Sequence, residues 1–184
     1  MEPINSLEPK TTKSRLLTIV KEYGPYFLIA VILAFSLRVV ISPSIVVGES
    51  MEGSLHDGDY LLVYKLAYSE THQPSYGDVV ILDSKAVSGH ELFIKRVIAK
   101  AGDKLEIKDN DVYRNGKKLV EPYIKEHMDT QNMKLKIPEG KVFVMGDNRN
   151  HSMDSRMIGT VDVEDELVGK VVTRLKPFDQ TFKE

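Results

Sequence analysis

The chain has 184 residues, 42% of them hydrophobic and 28% charged, with 25 Lys and Arg against 27 Asp and Glu. That length suits one ordinary domain with a short appendage, and the composition is that of a folded chain rather than a disordered one. A net charge of -2 gives no reason to expect a nucleic-acid partner, and the lack of cysteine excludes a disulfide scaffold, a thiol nucleophile and a thiolate zinc site.

Residues 1–22 are polar and carry Lys10, Lys13, Arg15 and Lys21. From Tyr23 to Leu37, "YGPYFLIAVILAFSL" has no charged residue, and "VVISPSIVVG" continues the apolar run beyond Arg38. A helix over Tyr23–Leu37 rises only about 22 Å, short of the ~30 Å hydrocarbon core of a bilayer. If Arg38 snorkels to the interface the span extends through Ile41, and Pro43 makes a stop. The pattern therefore predicts a transmembrane anchor over 23–42. The basic residues before it place 1–22 in the cytoplasm and 43–184 outside the cytoplasm, in the cell membrane as a single-pass protein. A cleavable export signal and a buried core helix are the competing readings. Against the first, "SPSIVVG" lacks the small residues that a cleavage site needs.

Beyond Asp59 the pattern changes to short runs rich in Val, Ile, Tyr and Phe, separated by Gly, Asp or Asn: "YLLVYKLAY", "DVVIL", "ELFIKRVIAK", "KLEIKDNDVYRNGKKL", "KVFVMGD" and "LVGKVVTRL". The Asn115-Gly116 pair between Tyr113 and Leu119 is a strong hairpin signal. No segment after Pro43 keeps a 3.6-residue apolar repeat. The expected fold is mainly β, an antiparallel β domain on a single N-terminal transmembrane helix. Ser69–Gly77 and Lys125–Lys134 are expected to be exposed loops.

The candidate chemistry narrows quickly. His56, His72, His90, His127 and His151 show no ligand spacing, so no metal is expected. His151, Ser152 and Asp154 do not form a triad, because adjacent residues in extended chain point to opposite faces. Ser50, in "VVGESMEGSL", stands beyond the apolar run with no histidine within five residues. On its residue type alone it reads first as an exposed turn serine. Lys95, inside "ELFIKRVIAK", shares a strand face with Phe93 and Val97 in one phase and faces solvent in the other. If buried, it loses its proton more readily and can act as a base toward a hydroxyl, so that a Ser/Lys pair needs no histidine. "MGDNRNHSMDSRMIG", Met145 to Gly159, has the density of Asp, Asn, Ser and Arg expected of a buried polar network, with Asp154 and Arg156 able to pair.

At this segment the chain resembles the bacterial type I signal peptidases, in a short Gram-positive-like form. Their pattern G-D-N-R-x-x-S-x-D-S-R-x-x-G is met at every fixed position, "SMEGSL" resembles their serine motif, and "FIKRVIAKAGD" their lysine motif. "GDVV" at Gly77–Val80 and "NGKKLVEPYI" add to it, and the resemblance runs from about Leu16 to Phe178. It implies a membrane-bound serine endopeptidase with an acyl-enzyme intermediate, Ser50 as nucleophile and Lys95 as general base. Ser152 would hydrogen-bond the lysine amine, while Asp154 and Arg156, with Asp147 and Arg149, would hold the segment in shape. The Ser50 N–H would donate to the oxyanion, and Arg96 would pair outward. Val46, Leu55, Phe93 and Ile94 would line the apolar substrate pockets. The implied partners are exported preproteins, cut after small residues of the Ala-x-Ala type, and membrane lipid, with no cofactor and a monomeric chain. With the nucleophile so soon after the anchor, the site is expected at the membrane surface.

Gly53 and Ser54 stand where the family usually has Pro and Thr, and Ala99 and Ala101 where it has Gly and Pro. Gly53 loosens the backbone after the serine, and Ala99 would be strained if its φ were positive. A catalytically impaired, membrane-anchored scaffold or binding homologue is therefore the alternative reading. A self-cleaving SOS-type repressor shares the Ser/Lys logic, but it would carry a DNA-binding helix-turn-helix where this chain has an apolar span.

Overall fold

The structure, a computed structural model, describes residues 12–69, 71–84 and 92–175, with eleven strands and two helices among them. The first part of the expected cytoplasmic tail, His90 and the end of the resemblance at Phe178 lie outside the described residues.

The chain divides into two compact units, 1–39 and 40–184. The first is built on α1 (Thr12–Val40), which carries Pro25 in its interior. Its segment Leu16–Val40 spans 25 residues and is long and apolar enough to cross a membrane. At 1.5 Å per residue that is about 37 Å, more than the ~30 Å required. The helix is apolar all round, with Phe27, Leu33 and Phe35 exposed. A helix of that kind needs lipid or a partner on every side. The expected 23–42 anchor differs at both ends. The helix starts well before Tyr23 and ends at Val40, because Ile41 already pairs with Tyr64 in the first strand. Pro43 does not cap the helix. It sits within that strand, at the edge of the sheet, where its missing N–H costs no ladder bond.

The second unit is mainly antiparallel β, with one short helix, α2 (Ser155–Ile158), among its described residues. A seven-stranded sheet is ordered β1 (Ile41–Ile45), β2 (Tyr60–Tyr64), β11 (Leu167–Leu175), β3 (Val79–Asp83), β4 (Leu92–Lys100), β9 (Lys141–Met145) and β10 (Val161–Asp162). A four-stranded sheet is ordered β7 (Lys117–Lys118), β6 (Asp111–Arg114), β5 (Lys104–Lys108) and β8 (Met133–Lys136). The Asn-Gly hairpin forms as expected between β6 and β7, with Asn115 at φ 55 and Gly116 at φ 80, the left-handed pair that a type I′ turn requires. The expected Lys125–Lys134 loop is wrong in two places. Met128 is buried among Leu105, Ile107 and Phe143, and Met133 begins β8. An apolar side chain inside a polar stretch pulled the loop onto the core.

Two core clusters flank the β4–β9 pair. Ile98, Ala99 and Phe143 pack under the small sheet, and Val97, Val142 and Val144 pack on the other side. The consecutive residues Ile98 and Ala99 face the same cluster because the register with β9 slips between Val97 and Ala99. Ala99 lies in this strand without a positive φ, so the strain considered for it is absent. A third cluster, Val46, Met51, Leu55, Leu61, Val63 and Ile81, underlies the turn that carries Ser50.

Candidate active site

Three segments meet at Ser50. The first is its own turn, pinned by the buried Met51 and Leu55 and by N–H donations from Ser54 and Leu55 to the Met51 carbonyl. The second is β4, a central strand held between β3 and β9, with Lys95 opposite Val80. The third is the Gly146–Arg156 segment. It reaches the turn through Asn148, whose backbone N–H donates to the Ser50 carbonyl and whose side chain donates to that of Glu49.

Lys95 is 2% exposed, which settles its strand phase in favour of burial. Its Nζ lies 2.8 Å from Ser50 Oγ and 3.0 Å from the Ile94 carbonyl. Burial lowers its pKa from 10.5 to about 8, against the opposing pull of Asp154 and then Asp147. An amine so placed is partly neutral near pH 8 and has a lone pair within hydrogen-bond reach of a hydroxyl. The pair opens onto a cavity of about 190 Å³ lined by Ser44, Val46, Met51, Ile81, Phe93 and Ile94, among others.

Three of the four expected pocket residues, Val46, Phe93 and Ile94, line that cavity. Leu55 does not. The turn folds back after Met51 and buries Leu55 in the cluster beneath, where it supports the pocket floor. Met51 and Ile81 take the lining role instead. Met51 adjoins Ser50 in sequence, but nothing in the sequence brings Ile81 of β3 to this cavity.

The polar segment folds as a network around Asp154, which is fully buried. Its carboxylate accepts from the Gly146 N–H and from Nε and Nη2 of Arg156, at 3.0, 2.8 and 2.8 Å. Arg156 in turn donates to the Arg149 carbonyl. Ser152 is near, but its buried Oγ has no hydrogen-bond partner among the described residues, so the expected bond with Lys95 is not formed. Asp147 and Arg149 do not pair with each other. Asp147 takes both Nε and Nη2 of Arg96, at 2.8 and 2.6 Å, so Arg96 turns inward rather than outward as expected. Arg149 is held by Glu121, a residue within "NGKKLVEPYI" that sequence reasoning passed over.

Gly146 packs tightly against the turn, since a Cβ there would collide with the Ser50 carbonyl oxygen and with Ser152 Oγ. Gly146→Ala should therefore displace Ser50 and lower turnover by about 100-fold, the cost of a misplacement near 1 Å. Turnover assays of the variant check this.

A buried amine against a serine hydroxyl at the mouth of an apolar cavity, on an antiparallel β unit, defines the arrangement. The family model "Signal peptidase, peptidase S26" matches residues 20–176. Signal peptidase I T of Bacillus subtilis is 37% identical, with 97% of this chain and 96% of that protein aligned. Signal peptidase I of Bacillus licheniformis is 41% identical over 77% and 81% of the two chains, and signal peptidase IB of Staphylococcus aureus 36% over 82% and 85%. A crystal structure of a signal peptidase I from Enterococcus faecalis covers 55% of this chain and 97% of its own, at 31% identity and a TM-score of 0.47. The chain belongs to the signal peptidases of peptidase family S26, the serine endopeptidases that remove signal peptides.

Proposed function

We propose that this enzyme cleaves exported preproteins after small residues in an Ala-x-Ala context, with Ser50 as nucleophile and Lys95 as general base. The observation that carries the reading is the 2.8 Å separation of Lys95 Nζ and Ser50 Oγ with the lysine buried. Neutral Lys95 takes the hydroxyl proton as Ser50 Oγ attacks the scissile carbonyl carbon. The negative charge that develops on the carbonyl oxygen is met by the Ser50 N–H. Collapse of the tetrahedral intermediate breaks the C–N bond, Lys95 returns the proton to the leaving amine, and an acyl ester on Ser50 remains. Water, deprotonated by the same lysine, then hydrolyses the ester. Ser152 is the group toward which Lys95 can turn when Ser50 is acylated, while Asp154 and Arg156 hold the segment that presents it. Val46, Phe93 and Ile94, with Met51 and Ile81, select small side chains by excluding large ones.

The helix Leu16–Val40 anchors the monomeric chain once in the lipid bilayer. The basic residues on its N-terminal side put that end in the cytoplasm and the β unit outside, where exported substrates emerge. The test is cleavage of a preprotein bearing an Ala-x-Ala site by the full chain in lipid, beside Ser50→Ala. Cleavage by the wild type alone is expected. Equal cleavage by both would remove Ser50 from the mechanism, and cleavage after large residues would remove the specificity.

A further inference from the structure

We infer that Ser54 is a positioning residue, the side-chain handle by which Arg96 holds the turn that carries Ser50; the inference rests on the role proposed for Ser50.

The turn runs through Gly53, whose φ of 119 is open to glycine and closed to proline. Its backbone at this point is held by the Ser54 and Leu55 N–H donations to the Met51 carbonyl and by contacts from outside the turn, without the fixed φ that a proline would supply. On one side Met51 and Leu55 bury into the core. On the other, Arg96 Nη2 donates to Ser54 Oγ at 3.0 Å. Arg96 is itself immobilised without help from the turn. It binds Asp147 through two nitrogens, donates through Nη1 to the Gly77 carbonyl at 2.9 Å, and stacks 4.2 Å over the Tyr123 ring. Its neighbour in sequence is Lys95. A single residue pair of β4 therefore sets both ends of the reacting geometry, Lys95 the proton acceptor and Arg96 the turn that presents the hydroxyl. The other side-chain ties on this stretch, Lys125 to Glu52 at 3.0 Å, Asn148 to the Glu49 carbonyl at 3.1 Å and Arg174 to the Ser54 carbonyl at 3.5 Å, are solvent-exposed and of little weight. A hydroxyl bound to a guanidinium that is already fixed is a stronger tether than an exposed ion pair.

Removing this handle should leave substrate binding alone, because Ser54 does not line the cavity, and should slow the step in which Ser50 reacts. The experiment compares Ser54→Ala, Ser54→Val and Ser54→Thr in the full chain in lipid, with Ser50→Ala as reference and the thermal midpoint of each recorded. Valine and threonine have the same shape and differ in the hydroxyl. The alanine and valine variants should lose about tenfold or more in kcat with KM held within about twofold, while threonine stays within about threefold of wild type. Wild-type kcat in the valine variant, a threonine variant as slow as valine, a loss carried by KM, or a loss that merely follows the thermal midpoint would overturn the positioning role. If Ser50→Ala still cleaves, or wild type does not, the parent reading falls and takes this one with it. Wild type active, Ser50→Ala dead and Ser54→Val undiminished would sink this inference alone.

Discussion

Replacing Lys95 with Met should abolish cleavage at every pH, a loss of about 10⁴-fold or more, the upper end of what one general base supplies. Methionine fills the same channel, but its thioether sulfur is far too weakly basic to take the Ser50 proton, and the hydroxyl at its ordinary acidity is a poor nucleophile. The wild-type enzyme provides the complementary measurement. Because burial lowers the Lys95 pKa from 10.5 to about 8, the fraction of free base, and with it kcat/KM, should rise tenfold per pH unit below about 8 and level off above it. A rate that is flat from pH 5 to 9 would rule out Lys95 as the base. The same substitution should stabilise the fold at neutral pH. Below about pH 8 the lysine is protonated in both folded and unfolded chains, and the folded state bears the whole desolvation cost. A drop from 10.5 to about 8 corresponds to about 3 kcal/mol. As pH rises from about 8 to 10.5 the unfolded chain still binds the proton that the folded chain has lost, so wild-type stability gains on Lys95→Met across that window. Denaturation of both proteins at pH 7 and pH 10 measures the narrowing gap.

Glu121→Ala should destabilise the β unit by about 3–5 kcal/mol, a large share of the 5–15 kcal/mol available to a domain. The Glu121 carboxylate accepts from Nη1 and Nη2 of Arg149 at 3.0 and 2.6 Å, and from the Tyr123 hydroxyl at 2.7 Å. The Arg149 side chain is 1% exposed. Without its partner the guanidinium stays charged and buried, with only the Gly146 carbonyl left to its Nε. Removing both charges is a different matter. A Glu121→Leu, Arg149→Met double variant replaces the ion pair with apolar volume and should recover most of the loss. Thermal unfolding of the single and double variants tests the coupling. If the single variant unfolds like wild type, the pair has no role in stability. Activity should fall with it, since Arg149 donates to the Gly146 carbonyl at the point where the polar segment meets Ser50.

Much of this protein is legible without coordinates. The apolar helix, most of the longer strands and the Asn115-Gly116 hairpin follow from local chemistry, because hydrophobic period and turn propensity act over a few residues. The ordered motifs likewise singled out Ser50, Lys95 and the Met145–Gly159 segment. Tertiary structure decided what depends on register and distance. The phase of Lys95 needed β3 and β9 on either side, and the slip between Val97 and Ala99 broke the alternation from which a phase would be read. Ile41–Ile45 continues the apolar run of the helix in sequence, and only pairing with Tyr60–Tyr64 makes it a strand. Leu55 and Met51 are both apolar neighbours of the serine, yet the turn sends one to the core and the other to the cavity as well. Arg96, read as turning outward, was claimed by Asp147 from 51 residues away, and Arg149 by Glu121 from 28. The sequence by itself determined which elements form and which groups carry chemistry, since those are properties of single residues and short windows. Which group meets which was decided by the antiparallel pairing of distant strands, because hydrogen bonds and ion pairs depend on separation in space and a chain does not reveal that distance until it folds.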